Sequence, residues 1–359
     1  MKTPLIKPLL KDGRTRMAFR AKYWLVAVCT VVCLTVLLVY RFILTEDAID
    51  MAFHYGTSNI KCGANTKLLE TIDRIECIEE NPIFFLETSN SPRISARGSC
   101  AVESAAKHHP DRQVRVLFSS PTVLDLTDPF MKSLTQLSNV QLLRMDMALL
   151  VEDTPLWHWY KKGKWKSSPF RTVHVSDALR LSIIWKYGGI YLDTDVVVLR
   201  SLSHLHNTTT TDNGKNLGSA FLAFEPYHPL LQATITDFAT SYTPSDFASN
   251  GPVLLNKHFK QRCHVELVDE LYKGGENTCD VDVLPYKSTY PIDYKDWREY
   301  FKPQETLNET AFDSCFIIHV WNYLSHGGML VVGQNSLYEV VMKRHCPKVY
   351  ELIKKVGFA

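Results

Sequence analysis

The stretch SDALRLSIIWKYGGIYLDTDVVVLRSL, Ser176–Leu202, sets two carboxylates, Asp193 and Asp195, inside an otherwise apolar run. Charge is costly to withdraw from water, and two like charges together cost more. Side chains two apart on a strand project to one face, so a strand over IYLDTDVVVL aims both carboxylates at one place. A hard divalent cation such as Mg²⁺ or Mn²⁺ relieves that repulsion and keeps positions open for phosphate oxygens. Gly188 and Gly189 are expected to end the preceding helix in a left-handed turn. Ser176 is expected to cap that helix, with Asp177 in its first turn. Asp177 and Arg180, three apart, then share a face and can look into the same cleft. The plainer readings are a solvated acid pair and a surface ion pair; the flanking GGIYL and VVVL argue against the first.

Outward from this stretch, short runs rich in β-formers alternate with helical patterns from Pro82 onward. IFFLET, VRVLFSS, VQLLRM, SAFLAF, VDVLPY and CFIIHVW read as further strands. SCAVESAAKHH, PLLQATITDFATSY, GPVLLNKHFKQRC and the closing SLYEVVMKRHCPKVYELIKKV read as helices. The alternation predicts an α/β domain with a mostly parallel sheet. HNTTTTDNGKN, residues 206–216, reads as a polar loop. TPLWHWYKKGKWKSSPF, residues 154–170, mixes aromatics with lysines, and reads as an amphipathic surface loop or a lid facing substrate. There is no G-x-G-x-x-G, no P-loop and no H-E-x-x-H.

The formal net charge of +2 gives no reason to expect nucleic acid. Its distribution is more telling. Residues 1–22 are basic, and the uncharged run Tyr23–Tyr40, extended by RFIL to Leu44, follows directly. At about 1.5 Å per residue it spans a bilayer core of about 30 Å. The basic flank precedes it and Glu46, Asp47 and Asp50 follow, so the expected topology is a cytosolic tail (1–22), a signal anchor (23–44), a lumenal stem (45–80) and a lumenal domain (81–359). A cleaved signal peptide fits less well, because the core is long and no A-x-A-like site follows. NTT at Asn207 and NET at Asn308 are glycosylation acceptors, which matter only in the secretory pathway. Cys29 and Cys33 fall in the anchor. That leaves Cys62, Cys77, Cys100, Cys263, Cys279, Cys315 and Cys346, an odd set in which disulfides are expected and one member is unpaired or bridges chains.

Around the two carboxylates, SDALRLSIIWKYGGIYLDTDVVVL resembles the D-x-D region of sugar-nucleotide glycosyltransferases. More narrowly, it resembles the α1,4-glycosyltransferase family that contains globotriaosylceramide synthase. FFLETS, CAVESAAKHHP, NGPVLLNKHFKQRC, YPIDYKDWREYF and IIHVWNYLSHG carry the likeness in order across about residues 80–330. The resemblance implies a GT-A-type, Rossmann-like nucleotide-sugar-binding domain behind a Golgi type II anchor. It implies a retaining transfer of hexose from UDP to a glycolipid, with galactose onto a lactosyl lipid favoured over N-acetylgalactosamine or N-acetylglucosamine. By the same resemblance, Asp193 and Asp195 would hold Mn²⁺, with His319 completing the shell. Asp177 and Arg180 would contact the donor sugar and phosphates, and Asn250 the anomeric carbon or acceptor. Glu87, Thr88 and Ser89 would lie where uridine rests. The expected partners are the UDP-hexose, the glycolipid and the membrane, with a homodimer also entertained.

Two other readings compete. IYLDTDVV also matches the opening of haloacid-dehalogenase phosphatases, but that motif lies on a first strand, and here about 110 residues of α/β pattern precede it. A membrane-tethered, non-catalytic carbohydrate binder would be expected to have lost one of Asp177, Arg180, Asp193 or Asp195, and all four are present.

Overall fold

A computed structural model describes residues 81–357 apart from 273–276, 278 and 307. The expected tail, anchor and stem lie outside the described residues, as do Cys62 and Cys77. Among the described residues, no helix is long and apolar enough to cross a membrane.

The strands are β1 (Ile83–Glu87), β2 (Val114–Phe118), β3 (Val140–Arg144), β4 (Gly189–Leu192), β5 (Val196–Val198), β6 (Thr208–Thr211), β7 (Leu217–Phe224), β8 (Asp282–Leu284) and β9 (Ile317–His319). The helices of nine or more residues are α1 (Ala96–His108), α2 (Arg171–Tyr187), α3 (Pro229–Ser241), α4 (Pro252–Cys263), α5 (Leu337–His345) and α6 (Pro347–Val356). Seven strands form one sheet in the order β3-β2-β1-β4-β7-β6-β8; β5 and β9 form a separate antiparallel pair. Strands β1 to β4 run parallel, and β7 runs antiparallel to both β4 and β6. The sheet is therefore mostly parallel, as expected, and mixed only through β7, which runs against the other strands. β1 is apolar up to Glu87 and β2 is buried throughout, Arg115 included, because both faces are covered. The faces are filled by two clusters, one around Trp159, Leu179 and Phe238, the other around Val102, Val116 and Phe221.

The order of the parallel strands places the site. From β1 the chain moves outward to β2 and β3, then returns to lay β4 on the other side of β1. That reversal opens a crevice at the carboxyl ends of β1 and β4, the usual ligand position in open α/β sheets. Glu87 ends β1 and Asp193 follows β4.

Several sequence expectations change. IYLDTDVVVL is two strands: the Val196 N–H donates to the Asp193 carbonyl at 3.0 Å, closing a turn that carries the chain from the large sheet to the small one. The two carboxylates converge through this turn rather than through strand alternation. Helix α2 begins at Arg171, so Ser176 and Asp177 lie inside it. Its end is as expected, with Gly188 and Gly189 at φ 66° and 90°. A Cβ on Gly189 would sit 2.3 Å from the Pro82 carbonyl oxygen, so the helix-to-strand turn demands glycine there. Thr208–Thr211, read as loop, forms buried β6, since β-branched threonines suit a pleated surface. The closing helix breaks at Pro347, which cannot continue the hydrogen-bond ladder of α5. Within 154–170, Trp159 and Trp165 are buried core residues while all four lysines face solvent, so this segment packs against α3 rather than forming a lid.

Disulfides join Cys100 to Cys346 and Cys263 to Cys279, and Cys315 is a buried free thiol. Asn308 is exposed. Asn207 is half-buried, and its side-chain oxygen accepts the Glu225 N–H at 3.1 Å.

Candidate active site

Asp193 lies at the end of β4, Asp195 two residues on, and β9 sets His319 directly opposite Val196. One oxygen or nitrogen from each of Asp193, Asp195 and His319 lies within 4.8 Å of the others. The His319 Nε2 is 3.3 Å from Asp195 Oδ1 and 4.0 Å from Asp193 Oδ2. The second Asp195 oxygen accepts the Asn322 N–H at 2.7 Å, which fixes the carboxylate's orientation. The imidazole is held by packing: Trp321 lies 4.2 Å and Tyr290 5.6 Å from it, centroid to centroid, while its buried Nδ1 has no hydrogen-bond partner. Burial pushes the Asp195 carboxyl up, but His319 and the Asn322 N–H outweigh burial and hold it below the ordinary carboxylate range. Burial likewise opposes protonation of His319, and Asp195 followed by Asp193 overcomes it, raising the imidazole above its usual value.

Behind Asp193 stands Arg180, buried to 6% exposure. Its Nη1 donates to Asp193, 3.1 Å from Oδ1, and to the Ser219 carbonyl at 2.9 Å; its Nη2 donates to the Ser176 hydroxyl at 2.8 Å. The guanidinium lies 4.8 Å over the Tyr191 ring, and the Tyr191 hydroxyl donates to Asp193. Asp177 Oδ1 is 3.5 Å from the same guanidinium. Burial raises the Asp177 carboxyl to about 6 despite the pull of Arg180, and its second oxygen is buried without a hydrogen-bond partner. Gly251 presses against it: a Cβ there would lie 2.4 Å from the carboxyl carbon.

Asp193, Asp195, His319 and Arg180 open on a cleft of about 360 Å³, lined also by Glu87, Thr88 and Ser89 and by Phe247, Tyr323 and Leu324. Glu87 accepts the Ser89 N–H at 2.8 Å and Thr88 donates to the Thr172 carbonyl at 3.0 Å, so the β1 end is pre-shaped. The structure therefore brings together Asp193, Asp195, His319, Arg180 and Glu87–Ser89. It does not bring in Asn250. That side chain is buried, accepts the Thr243 N–H and donates to the Thr243 carbonyl, both at 2.8 Å, and meets His174 at 3.3 Å, bracing the loop that leads to Gly251. Asp177 sits behind the cleft wall against that loop.

Sequence reasoning missed Tyr191, Ser219 and Asn322. Tyr191 is two residues before Asp193 and so shares its face of β4, a signal that was available. Ser219 and Asn322 act through a carbonyl and an N–H, which no side-chain pattern reveals.

Two regions match family models: residues 95–213 the glycosyltransferase sugar-binding region containing the DXD motif, and residues 223–353 the alpha 1,4-glycosyltransferase conserved region. The chain is 36% identical to the lactosylceramide 4-alpha-galactosyltransferase of Gorilla gorilla gorilla, over 76% of this chain and 83% of that protein. The human enzyme of the same name gives 36%, over 76% and 77%. Human alpha-1,4-N-acetylglucosaminyltransferase is 35% identical, over 76% and 81%. The likeness thus spans both the D-x-D turn and the strand that carries His319. The chain belongs to the α1,4-glycosyltransferase family and is a glycosyltransferase.

Proposed function

We propose that this enzyme transfers galactose from UDP-galactose, with retention and in α1,4 linkage, to a glycolipid such as lactosylceramide. The observation that carries the reading is the convergence of Asp193, Asp195 and His319 on one edge of a cleft whose other end is the β1 terminus. Two carboxylates and an imidazole are a donor set that Mn²⁺ accepts. These three residues would hold it, and when bound it would neutralise the diphosphate of the leaving group. Asp193 is the pivot, because Arg180, Tyr191 and the β4–β7 ladder fix its position before any ligand arrives. Arg180 spends its donors on Asp193, Ser219 and Ser176, so its part is to hold Asp193 rather than to grip the sugar. Asp177 balances Arg180 from behind. Glu87, Thr88 and Ser89 lie where the nucleoside would rest. Phe247, Tyr323 and Leu324 give the cleft an apolar surface suited to an acceptor.

In the transfer, the bond from the anomeric carbon to the phosphate oxygen breaks as the acceptor oxygen bonds to the same face. The acceptor proton passes to the departing phosphate oxygen, so no side-chain base is required. Rate then comes from positioning and electrostatics. The disulfides and the exposed acceptor triplet at Asn308 fit a lumenal domain, and with the 23–44 anchor they support a single-pass type II protein of the Golgi membrane.

The serious second reading is an N-acetylhexosaminyltransferase, favoured by the near-equal identity to the N-acetylglucosaminyl enzyme. The full chain in detergent, supplied with Mn²⁺ and lactosylceramide, should release UDP from UDP-galactose faster than from either UDP-N-acetylhexosamine. Faster acceptor-dependent release from an N-acetylhexosamine donor replaces the first reading with the second.

A further inference from the structure

Arg97 is out of place by local rules. It occupies the second position of α1, where the helix dipole favours an acid, and it is 9% exposed. What surrounds it explains the placement. Its Nη1 donates to the Asn322 side-chain oxygen at 3.1 Å, the Ser325 carbonyl at 3.1 Å and the Ser325 hydroxyl at 2.9 Å; its Nη2 donates to the Gly328 carbonyl. The guanidinium lies 4.5 Å over the Phe301 ring. These acceptors sit 225 to 231 residues away in sequence and belong to one segment, Asn322–Gly328. That segment also meets the D-x-D turn. The Val320 N–H donates to the Asp195 carbonyl at 3.0 Å, and the Asn322 N–H to its Oδ2 at 2.7 Å. Between them Trp321 adopts a left-handed conformation, φ 58° and ψ 49°, which a bulky side chain rarely accepts unless its surroundings impose it.

We propose that Arg97 is a positioning residue for the cation site: by clamping Asn322, Ser325 and Gly328 it holds the Asn322 N–H on one Asp195 oxygen and leaves the other facing His319. Arg97 touches none of the three expected ligands. It acts through Asn322, and the inference rests on the reading of Asp193, Asp195 and His319 as a cation site. Partners of this kind usually change metal affinity about ten- to a hundred-fold when removed. Lysine cannot replace the planar fork, because one ammonium does not span all four acceptors.

The test is Mn²⁺ binding by the full chain in detergent, read from loss of the free-ion electron paramagnetic resonance signal, for wild type, R97A, R97K, N322A and R97A/N322A. Thermal unfolding in EDTA accompanies each protein, and binding is read well below the midpoint. Wild type should bind, R97A should weaken binding at least about ten-fold, and R97K should fall between. N322A should weaken it less than R97A does, and the double variant should bind like R97A, because the two residues act in series. If wild type binds and R97A or R97K binds within two-fold of it, the positioning role is wrong. If R97A does not fold, the R97K and N322A results decide by the same criterion. If wild type takes up no Mn²⁺, the cation-site reading fails and this inference fails with it.

Discussion

Replacing Arg180 by glutamine removes the cation between two carboxylates. In the structure its guanidinium serves Asp193, Asp177, Ser219 and Ser176 at once and is nearly sealed from solvent. Taking one partner from a buried pair typically costs about 3–5 kcal/mol, because the remaining charge is left uncompensated. At about 2–4 °C per kcal/mol for a domain near this size, R180Q should lower the unfolding midpoint by about 10 °C. R180K, which keeps the charge but not the fork, should lose roughly half as much. The pH profile adds a second signature. Asp177 ionises near 3.8 when unfolded and near 6 when folded. Its proton is therefore bound more tightly in the native state, so the stability that Asp177 contributes is greatest below about pH 4, falls between pH 4 and 6, and is level above. The fall amounts to about 3 kcal/mol. In R180Q the pull that lowers Asp177 is gone, so the decline should extend to higher pH. Midpoints measured from pH 4 to 8 on both proteins check this. A variant with a wild-type midpoint and an unshifted profile would refute the claim that Arg180 holds the two carboxylates together.

Other predictions follow from single contacts. G251A puts a Cβ against the Asp177 carboxyl, so the loop ending at Asn250 must shift; transfer should fall at least about ten-fold while secondary structure by circular dichroism is kept. C346S opens a covalent loop of 246 residues, worth roughly 5 kcal/mol in the chain-entropy model, and should show as a lower denaturant midpoint than C263S, which opens a loop of 16. His108 and His345 meet at 2.9 Å; burial, followed by His109 and nearby cations, pulls His108 down to about 4, and burial, followed by His108 and nearby cations, pulls His345 down to about 3. The unfolded chain takes up these protons first, so stability should drop as pH falls from about 6.5 towards 4. H108Q/H345Q should flatten that drop in a pH series of unfolding midpoints.

Much of the site was legible because it is built from local sequence. Asp193, Asp195 and the two glycines before them lie within eight residues, and the apolar flanks announced that the acids were not simply solvated. His319 was reachable only through family likeness, since it comes to Asp195 by pairing of strands more than 100 residues apart. The direction of Asn250 is hidden for a related reason: its position beside Gly251 is local, but hydrogen bonds to Thr243 and His174 set where its side chain points. The polar threonine run suggests a loop because hydroxyls suggest water, whereas pairing with β7 on one side and β8 on the other buries them. Trp159 and Trp165 were read against neighbouring lysines, yet a helix separates the two faces and lets aromatics pack inward while the lysines stay wet. Arg97 left no trace in its own neighbourhood except its wrong sign for a helix start.

The most direct test of the central claim measures UDP release by the full chain from UDP-galactose and lactosylceramide, for wild type and D195N, after EDTA treatment and again with Mn²⁺ restored. The account predicts that wild type loses transfer in EDTA and regains it with Mn²⁺. It predicts that D195N, whose amide oxygen can still accept the Asn322 N–H, keeps a folded unfolding midpoint but transfers nothing at any Mn²⁺ concentration. Undiminished turnover by wild type in EDTA, or near-normal turnover by D195N, would contradict it.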